Sequence, residues 1–314
     1  MISITQKTLQ DLEFNTVLET IASRCNTDIG EAKALAITPF KNKEELLINL
    51  KQTSEYLSSF SNNNAIPNHG FENINYELKF LAIEDSFLEV GSFKKIANLS
   101  ETAITLIQFL KKFEDYYPNL YQKTSQIDIV KLILQRIDEV VDKFGIIKDN
   151  ASSDLIDIRR NINVVCGKIN QSFGMALSQY NSLGYLDDIK ETVVENRRVL
   201  AVLAMYRRKV KGSILGNSKT GSIAYIEPEA AQRYSRELNN LEFEEREEIM
   251  RILKRLTNEI RPFTDTIAAY QDFLSDIDVI AAKAKYAYKI NGILPNIIEE
   301  KRLFFRESFH PILY

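Results

Sequence analysis

Two apolar stripes at helical spacing, separated by a segment that reads as strands and turns, constrain this chain more than any other feature. Leu155, Ile158, Ile162, Val165, Ile169, Phe173 and Ala176 recur at steps of three and four, a coiled-coil-like seam. Tyr234, Leu238, Leu241, Ile249, Ile252, Leu256 and Ile260 repeat the pattern, with Glu245 filling the missing step. Ser153, followed by Asp154 and Asp157, is the expected cap and dipole-matched first turn of the first helix. The second is expected from Glu229 to Arg261, with Pro228 at its first position and Pro262 at its end. At the rise of an α-helix each would be about 40 to 50 Å long. Between them, Val193-Val194 and Arg198 to Val210 are β-rich and Lys211-Gly212 reads as a tight turn. Gly212 to Leu215 then reads as a returning strand, Gly216 to Gly221 as turn chemistry and Ser222 to Ile226 as a last strand. These spacings predict an antiparallel helical arm over 151–261 with a small antiparallel β-unit, about 190–228, at its tip.

The flanks read as one helical domain into which the arm is inserted. Amphipathic patterns occupy Asp11 to about Asp28, a second helix ends before Pro39, and others cover Glu44 to Phe60, Ile74 to Ile83, Ser92 to Phe113 and Ile129 to Val141. Asn62 to Gly70, with its run of asparagines, Pro67 and Gly70, is a loop. After Pro262 the pattern is helical to about Ile290, with Ile267, Tyr270, Phe273, Leu274 and Ile277 facing a core. Residues 1–150 and 262–303 are therefore expected to form the helical domain. With only 11 glycines and 7 prolines in 314 residues, helices should dominate over a loop-rich β-sandwich. A hydrophobic content of 45% excludes a disordered chain. The expected class is mainly α.

The chemistry-bearing residues are sparse. His69 and His310 are the only histidines, and Cys25 and Cys166 stand far apart without metal-ligand spacing, so neither a zinc site nor a disulfide framework is expected. The first residues lack the apolar core of a signal peptide, and the longest apolar runs, such as Val199 to Met205, are too short to span a bilayer. No membrane association is expected, and the reading points to the cytoplasm. Gly216 to Gly221 has the four-residue gap of a phosphate-binding loop, but Ser222 stands where the lysine belongs and a strand follows. The acidic run Glu242, Glu244, Glu245, Glu247 and Glu248 alternates with Arg236, Arg246 and Arg251, which fits a solvated ion-paired face better than a metal site. Asp187-Asp188 near Glu191 reads as loop or helix-start acids, and Cys166 as a small packing residue. No catalytic or metal-binding residue is expected.

The tip carries the functional signal. From Asn196 to Ile226 the chain holds Arg197, Arg198, Arg207, Arg208, Lys209, Lys211 and Lys219 and no acidic residue, although its net charge is -3. Such a cluster can contact phosphates and release counterions, giving affinity without reading a base sequence. Tyr206 and Tyr225 add aromatic surface, and Ser218, Thr220 and Ser222 add short donors. Arg207, Arg208, Lys209, Lys211 and Lys219 rank first as phosphate contacts, Arg197 and Arg198 second, while Val199, Leu203 and Ile214 are expected to hold the β-unit together. The charges could equally serve only to resist edge-to-edge pairing of strands.

The chain resembles the MutS superfamily, specifically its MutS-two branch, which lacks the mismatch-reading N-terminal domain. The resemblance spans essentially the whole chain. It rests on Asp11-Leu-Glu-Phe with Val17-Leu18, Gly30 and Pro39, on Asp142-Lys-Phe-Gly-Ile-Ile-Lys-Asp-Asn-Ala-Ser with Ile158-Arg159, and on Asn196-Arg-Arg-Val-Leu-Ala-Val. Tyr206-Arg-Arg-Lys-Val-Lys-Gly and Lys219-Thr-Gly-Ser-Ile-Ala-Tyr-Ile-Glu-Pro complete the strongest blocks, and His310-Pro-Ile-Leu is similar to the start of the family's ATPase domain. The resemblance implies a helical core or lever domain with an inserted clamp, and residues 304–314 as the beginning of an ATPase domain. It implies DNA, branched or duplex, as the partner, ATP and Mg for full-length members, pairing of two subunits through their ATPase domains, and in many members a C-terminal endonuclease. The chain has no Gly-x-x-x-x-Gly-Lys-[Ser/Thr], so residues 1–314 are expected to be non-catalytic and to hold no cofactor. Two other readings stay open: a dimerisation or protein-interaction module working through the arm, and a basic tip directed to ribosomal RNA on stalled ribosomes.

Overall fold

The computed structural model describes residues 4–61, 64–300 and 302–313. Its elements in chain order are α1 (Gln6–Asp11), α2 (Phe14–Ala22), α3 (Asp28–Leu35), α4 (Lys43–Ser58), α5 (Asn75–Leu81), α6 (Val90–Lys112), α7 (Pro118–Gln122), α8 (Leu132–Val140), α9 (Ser153–Ser182), β1 (Leu186–Val194), β2 (Arg197–Leu203), β3 (Gly212–Asn217), β4 (Ile223–Pro228), α10 (Glu229–Ile260) and α11 (Thr264–Lys289). The class is mainly α with one small antiparallel sheet. The chain divides into a helical unit, residues 1–146 and 254–314, and a second unit, residues 147–253.

In the helical unit, α11 is the central element and packs against α2, α3, α4 and α6. Ile267, Tyr270, Phe273, Leu274 and Ile277 are buried, as their spacing predicts, and meet a second apolar face from Phe93, Ile96, Leu99 and Leu110 of α6. Buried polar groups on α11 and the end of α10 are spent on loop backbones, which leaves few buried donors unpaired. Tyr270 donates its hydroxyl to Asp128 O at 2.8 Å, Gln271 Oε1 accepts from Ile74 N at 2.9 Å, and Thr257 Oγ1 accepts from Leu88 N at 3.0 Å. Three of the joints between helices are thus tied to the central layer by a specific hydrogen bond, not by apolar contact alone. Residues 64–70 form no helix or strand; Asn62 and Asn63 of the expected loop, and Tyr314 of the segment 304–314, lie outside the described residues. Residues 302–313 form no strand.

In the second unit, α9 and α10 run antiparallel. Ser152 Oγ donates to Glu248 Oε1 at 2.7 Å, Arg159 Nε donates to Glu245 Oε1 at 2.8 Å, and Lys168 lies over the ring of Tyr234, so partner numbers fall as α9 advances. The stripe residues Leu155, Val165, Phe173 and Ala176 are buried, while Ile158, Ile162, Tyr234, Leu238 and Leu241 are half-buried. The N-cap is Ser152, whose Oγ accepts from Leu155 N at 3.0 Å, one residue before the Ser153 expected from sequence. Pro228 does not open α10; it is the last residue of β4 and pairs with Gly212, where its missing N–H costs no ladder bond. The C-terminal end of α9 turns through Gly184 at φ +67°, with Tyr185 N donating to Tyr180 O at 3.1 Å.

That turn starts a strand sooner than expected. β1 begins at Leu186, so Asp187 and Asp188 lie in a strand and not in a loop. The sheet order is β1-β2-β4-β3, antiparallel throughout. Glu195 and Asn196, both at positive φ, close the β1–β2 hairpin between the paired Val194 and Arg197. One face of the sheet packs on the last turns of α9, where Phe173, Ala176 and Tyr180 meet Leu200, Val202, Ala224 and Ile226. Val199 is buried and Leu203 half-buried, but Ile214 is 51% exposed, so it does not hold the β-unit together as its neighbours do.

Candidate nucleic-acid interface

The sheet order dictates where the basic residues go. β4 lies between β2 and β3, and both pair antiparallel to it, so β2 and β3 run parallel. The chain leaving β2 beside Ile223 must therefore cross β4 to enter β3 beside Pro228. Residues 204–211 make that crossing. The expected β-run to Val210 ends at Leu203, and the expected tight turn at Lys211-Gly212 is the end of this crossover.

The crossover is tied down along its length. Ala204–Tyr206 is a short 3-10 turn, Ala204 N donates to Ser222 O at 2.9 Å, and Lys209 N donates to Tyr206 O at 2.8 Å. Val210 is buried in the sheet core, and Lys211 N donates to the Tyr180 hydroxyl at 3.2 Å. Glu229 N donates to Lys211 O at 3.1 Å, joining the crossover to the start of α10. Beneath it three tyrosines stack: Tyr180 on Tyr185 at 6.3 Å between centroids, and Tyr185 on Tyr206 at 4.6 Å. Alternation of buried Val210 with exposed neighbours leaves Arg207, Arg208, Lys209 and Lys211 on the outside.

The basic residues fall into two groups. Arg207, Arg208, Lys211 and Lys219 are exposed and, among the described residues, have no carboxylate within ion-pair distance. Lys209 lies over the rings of Tyr185 and Tyr206, at 5.6 and 5.5 Å. Arg197 and Arg198 differ. Arg197 donates to buried Glu227 at 3.1 Å, and Arg198 donates to Glu191 at 2.7 Å and to Asn170 at 2.9 Å while lying 4.4 Å over the Phe173 ring. Both guanidinium groups thus have structural partners that the acid-free window 196–226 hid. Glu227 is the next residue, and Glu191 faces Arg198 only because the β1–β2 hairpin folds back.

Lys219 sits in the β3–β4 hairpin. Ser218 N donates to Ile223 O at 2.9 Å, Gly221 takes φ +70°, and Ser218 Oγ accepts from Ile223 N at 3.1 Å. Thr220 Oγ1 and Ser222 Oγ are 2.7 Å apart. Half-buried Ser218 is therefore occupied in holding the turn. This hairpin and Ala204, the start of the crossover, share one end of the sheet through the Ala204–Ser222 bond. Tyr225 is half-buried in β4, away from the tyrosine stack.

The acidic run holds structural ion pairs. Glu245 and Glu248, from the acidic run, pair with Arg159 and Arg251, and Arg159 also binds Asp149. Among the described residues no His, Cys, Asp or Glu side chains gather as a metal-binding group. Burial and the Asp278 carboxylate push the Cys25 thiol up to about 12, so it is not a nucleophile at neutral pH. No helix is long and apolar enough to cross a membrane, among the described residues.

No family model matches the chain. Over 98% of its length it is 28% identical to the Endonuclease MutS2 of Staphylococcus carnosus strain TM300. It is 27% identical, again over 98% of its length, to the Endonuclease MutS2 proteins of Alkaliphilus oremlandii strain OhILAs and Staphylococcus aureus strain bovine RF122. The chain is thus similar to MutS2 proteins along nearly its whole length. It spans about 40% of the length of these curated relatives.

Proposed function

We propose that the β-unit of this MutS2-type chain is a non-catalytic clamp that grips the phosphate backbone of branched or duplex DNA, with the helical parts acting as its lever. The supporting observation is the crossover: Arg207, Arg208, Lys209 and Lys211 are all exposed on one hydrogen-bonded segment. Lys219 adds a cation at the hairpin. Arg197 and Arg198, second in rank from the sequence, stay behind the other five, because a phosphate would have to compete with Glu227 and Glu191 for them. Contacts of this type position a duplex without reading its sequence.

In this reading the clamp insertion spans about 151–261 and the helical core 1–150 with 262–303. ATP hydrolysis with Mg, subunit pairing and any nuclease step belong to other parts of the whole protein, and residues 304–314 lead towards its ATPase domain. The curated relatives' name, endonuclease, fits a protein in which gripping and cutting are separate tasks. The test is fluorescence anisotropy of the chain with a four-way DNA junction, a plain duplex and a hairpin RNA over a salt series. Each phosphate contact to duplex DNA contributes about 0.9 to the slope of log K against log salt. Charge reversal at Arg207, Arg208 and Lys211 should lower the slope by about 2 to 3 and weaken binding about 100-fold or more at 0.1 M salt. Unchanged affinity would refute the assignment, and preferential binding of the hairpin RNA would redirect the clamp to ribosomal RNA.

A further inference from the structure

The helical unit contains a cavity of about 550 Å³, in the range of small-molecule sites. Its wall carries more ammonium than carboxylate groups: Lys33, Lys41, Lys123 and Lys283 against Glu45 and Asp276. Asp276 is fully engaged. Its Oδ1 accepts from Lys33 Nζ at 2.8 Å and its Oδ2 from Lys123 Nζ at 2.9 Å. Burial would raise this carboxyl, but the hydrogen bonds and charges of Lys33 and Lys123 outweigh burial and hold it below the usual carboxylate range.

Lys283, about two turns further along α11, is left over. Among the described residues it has no hydrogen bond and no carboxylate within ion-pair distance. Burial pushes its ammonium below the ordinary lysine value and Lys123 adds to this, with only Asp276 opposing. A cation withdrawn from water beside another cation is a cost that a multiply charged anion relieves. The rest of the wall includes Ile37, Pro39 and Phe40, which offer an apolar and aromatic surface to an uncharged moiety.

We propose that this cavity binds a small phosphorylated ligand of nucleotide size, its phosphates on Lys283, Lys123 and Lys33 and its uncharged part along Ile37, Pro39 and Phe40. Lysine binds phosphate as a point charge without a fixed fork, so the three ammonium groups can follow several phosphate geometries. Asp276 positions two of them, and binding at Lys283 requires neither of its hydrogen bonds to break. The cavity is built from helical-unit residues alone and does not depend on the nucleic-acid reading of the β-unit.

The test is isothermal titration of the full chain with adenosine triphosphate, inorganic pyrophosphate, adenosine and sulfate at matched ionic strength. The triphosphate and pyrophosphate should bind and adenosine should not. Lys283→Met should weaken binding about tenfold or more, and Lys283→Arg should stay within about threefold of the original. Acylation of lysines in the unaltered chain, read by mass spectrometry, supplies an answer that does not depend on a variant folding. The triphosphate should protect Lys283 and Lys123 and leave the exposed Lys7 unprotected. Sulfate giving equal protection, no protection at Lys283, or full affinity in a folded Lys283→Met variant would each overturn the proposal.

Discussion

Asp278 should be the most sensitive single position of the helical unit. It is fully buried on α11, and its carboxylate accepts from Asn26 N at 2.9 Å, Thr27 N at 3.0 Å and Thr27 Oγ1 at 2.7 Å. Thr27 in turn caps α3, its Oγ1 accepting from Gly30 N at 3.0 Å. One side chain from α11 thus fixes the entry of α3. Asp278→Ala leaves the buried N–H and hydroxyl of Thr27 without their acceptor, at about 1–3 kcal/mol each before relaxation, and frees the more accessible Asn26 N–H at smaller cost. A net loss of about 3–5 kcal/mol is expected. The same geometry excludes a side chain at Gly30, because a Cβ there would stand 2.4 Å from Asp278 Oδ2 and 2.9 Å from Thr27 Oγ1. Gly30→Ala alone should therefore cost about 2–4 kcal/mol. With Asp278 as alanine only the Thr27 Oγ1 contact at 2.9 Å remains, and Gly30→Ala should then cost clearly less than it does alone. Urea denaturation of the two single variants and the double variant, with hydrogen exchange at α3 amides to place the effect, measures this coupling. Additivity within about 0.5 kcal/mol would refute the contact geometry, and a loss below about 1 kcal/mol for Asp278→Ala would refute its anchoring role.

The other predictions concern titration and the sheet. His69 is buried, with Nδ1 at 3.2 Å from Pro67 O and Nε2 at 3.8 Å from Asp278 Oδ1. Burial lowers its pKa from 6.5, and the Pro67 contact and Asp278 charge offset this only in part. A lowered folded value means that the unfolded chain takes up the proton first. The contribution is therefore fully present above about pH 6.5 and is lost as pH falls through the range below it, by at most about 1.4 kcal/mol per pH unit. Stability measured from pH 7 to 5.5 should decline in the unaltered chain and less so in His69→Gln; a flat profile in the unaltered chain would contradict the burial argument. At the sheet edge, a Cβ on Gly212 would meet Glu227 O at 2.1 Å and Ile226 Cγ2 at 2.8 Å. Gly212→Ala should unpair the start of β3, destabilise the sheet by about 1–3 kcal/mol and raise hydrogen exchange in 212–217. Unchanged protection there would argue against the observed β3–β4 register.

What sequence made legible was local periodicity. Ile267, Tyr270, Phe273, Leu274 and Ile277 are buried because a helix repeats its face every three to four residues, whatever it packs against. The boundaries of α9 and α10 were readable for the same reason, to within a residue or two at the cap and at Pro228. The features missed depend on residues distant in sequence. The crossover follows from β4 inserting between β2 and β3, which no window of the chain encodes. Glu227 and Glu191 neutralise Arg197 and Arg198 across strands, so counting charge along the chain overstated the free cations. Asp278 gave no signal as an anchor, since its partners lie more than 250 residues away. Lys33, Lys123 and Lys283, unremarkable in sequence, share a cavity wall only because the fold brings α3, the residue after α7 and α11 together.

The manner in which the crossover is held bears on how it would grip. A basic arm that orders only on binding gives back part of its electrostatic gain as conformational entropy, about 1–2 kcal/mol for each residue fixed. In this chain Val210 is already buried and Lys211 N is already bonded to Tyr180, so that ordering has occurred in the fold itself. Lys209 resting on Tyr185 and Tyr206 leaves one charge partly committed to aromatic faces, whereas Arg207, Arg208 and Lys211 remain exposed. The last three should then account for more of the salt dependence than Lys209. Tyr206→Ala separates fold from charge: it removes the platform and keeps every cation. If order in the crossover matters, that variant should lose affinity while its salt slope stays nearly constant. If only charge density matters, its affinity should be unchanged.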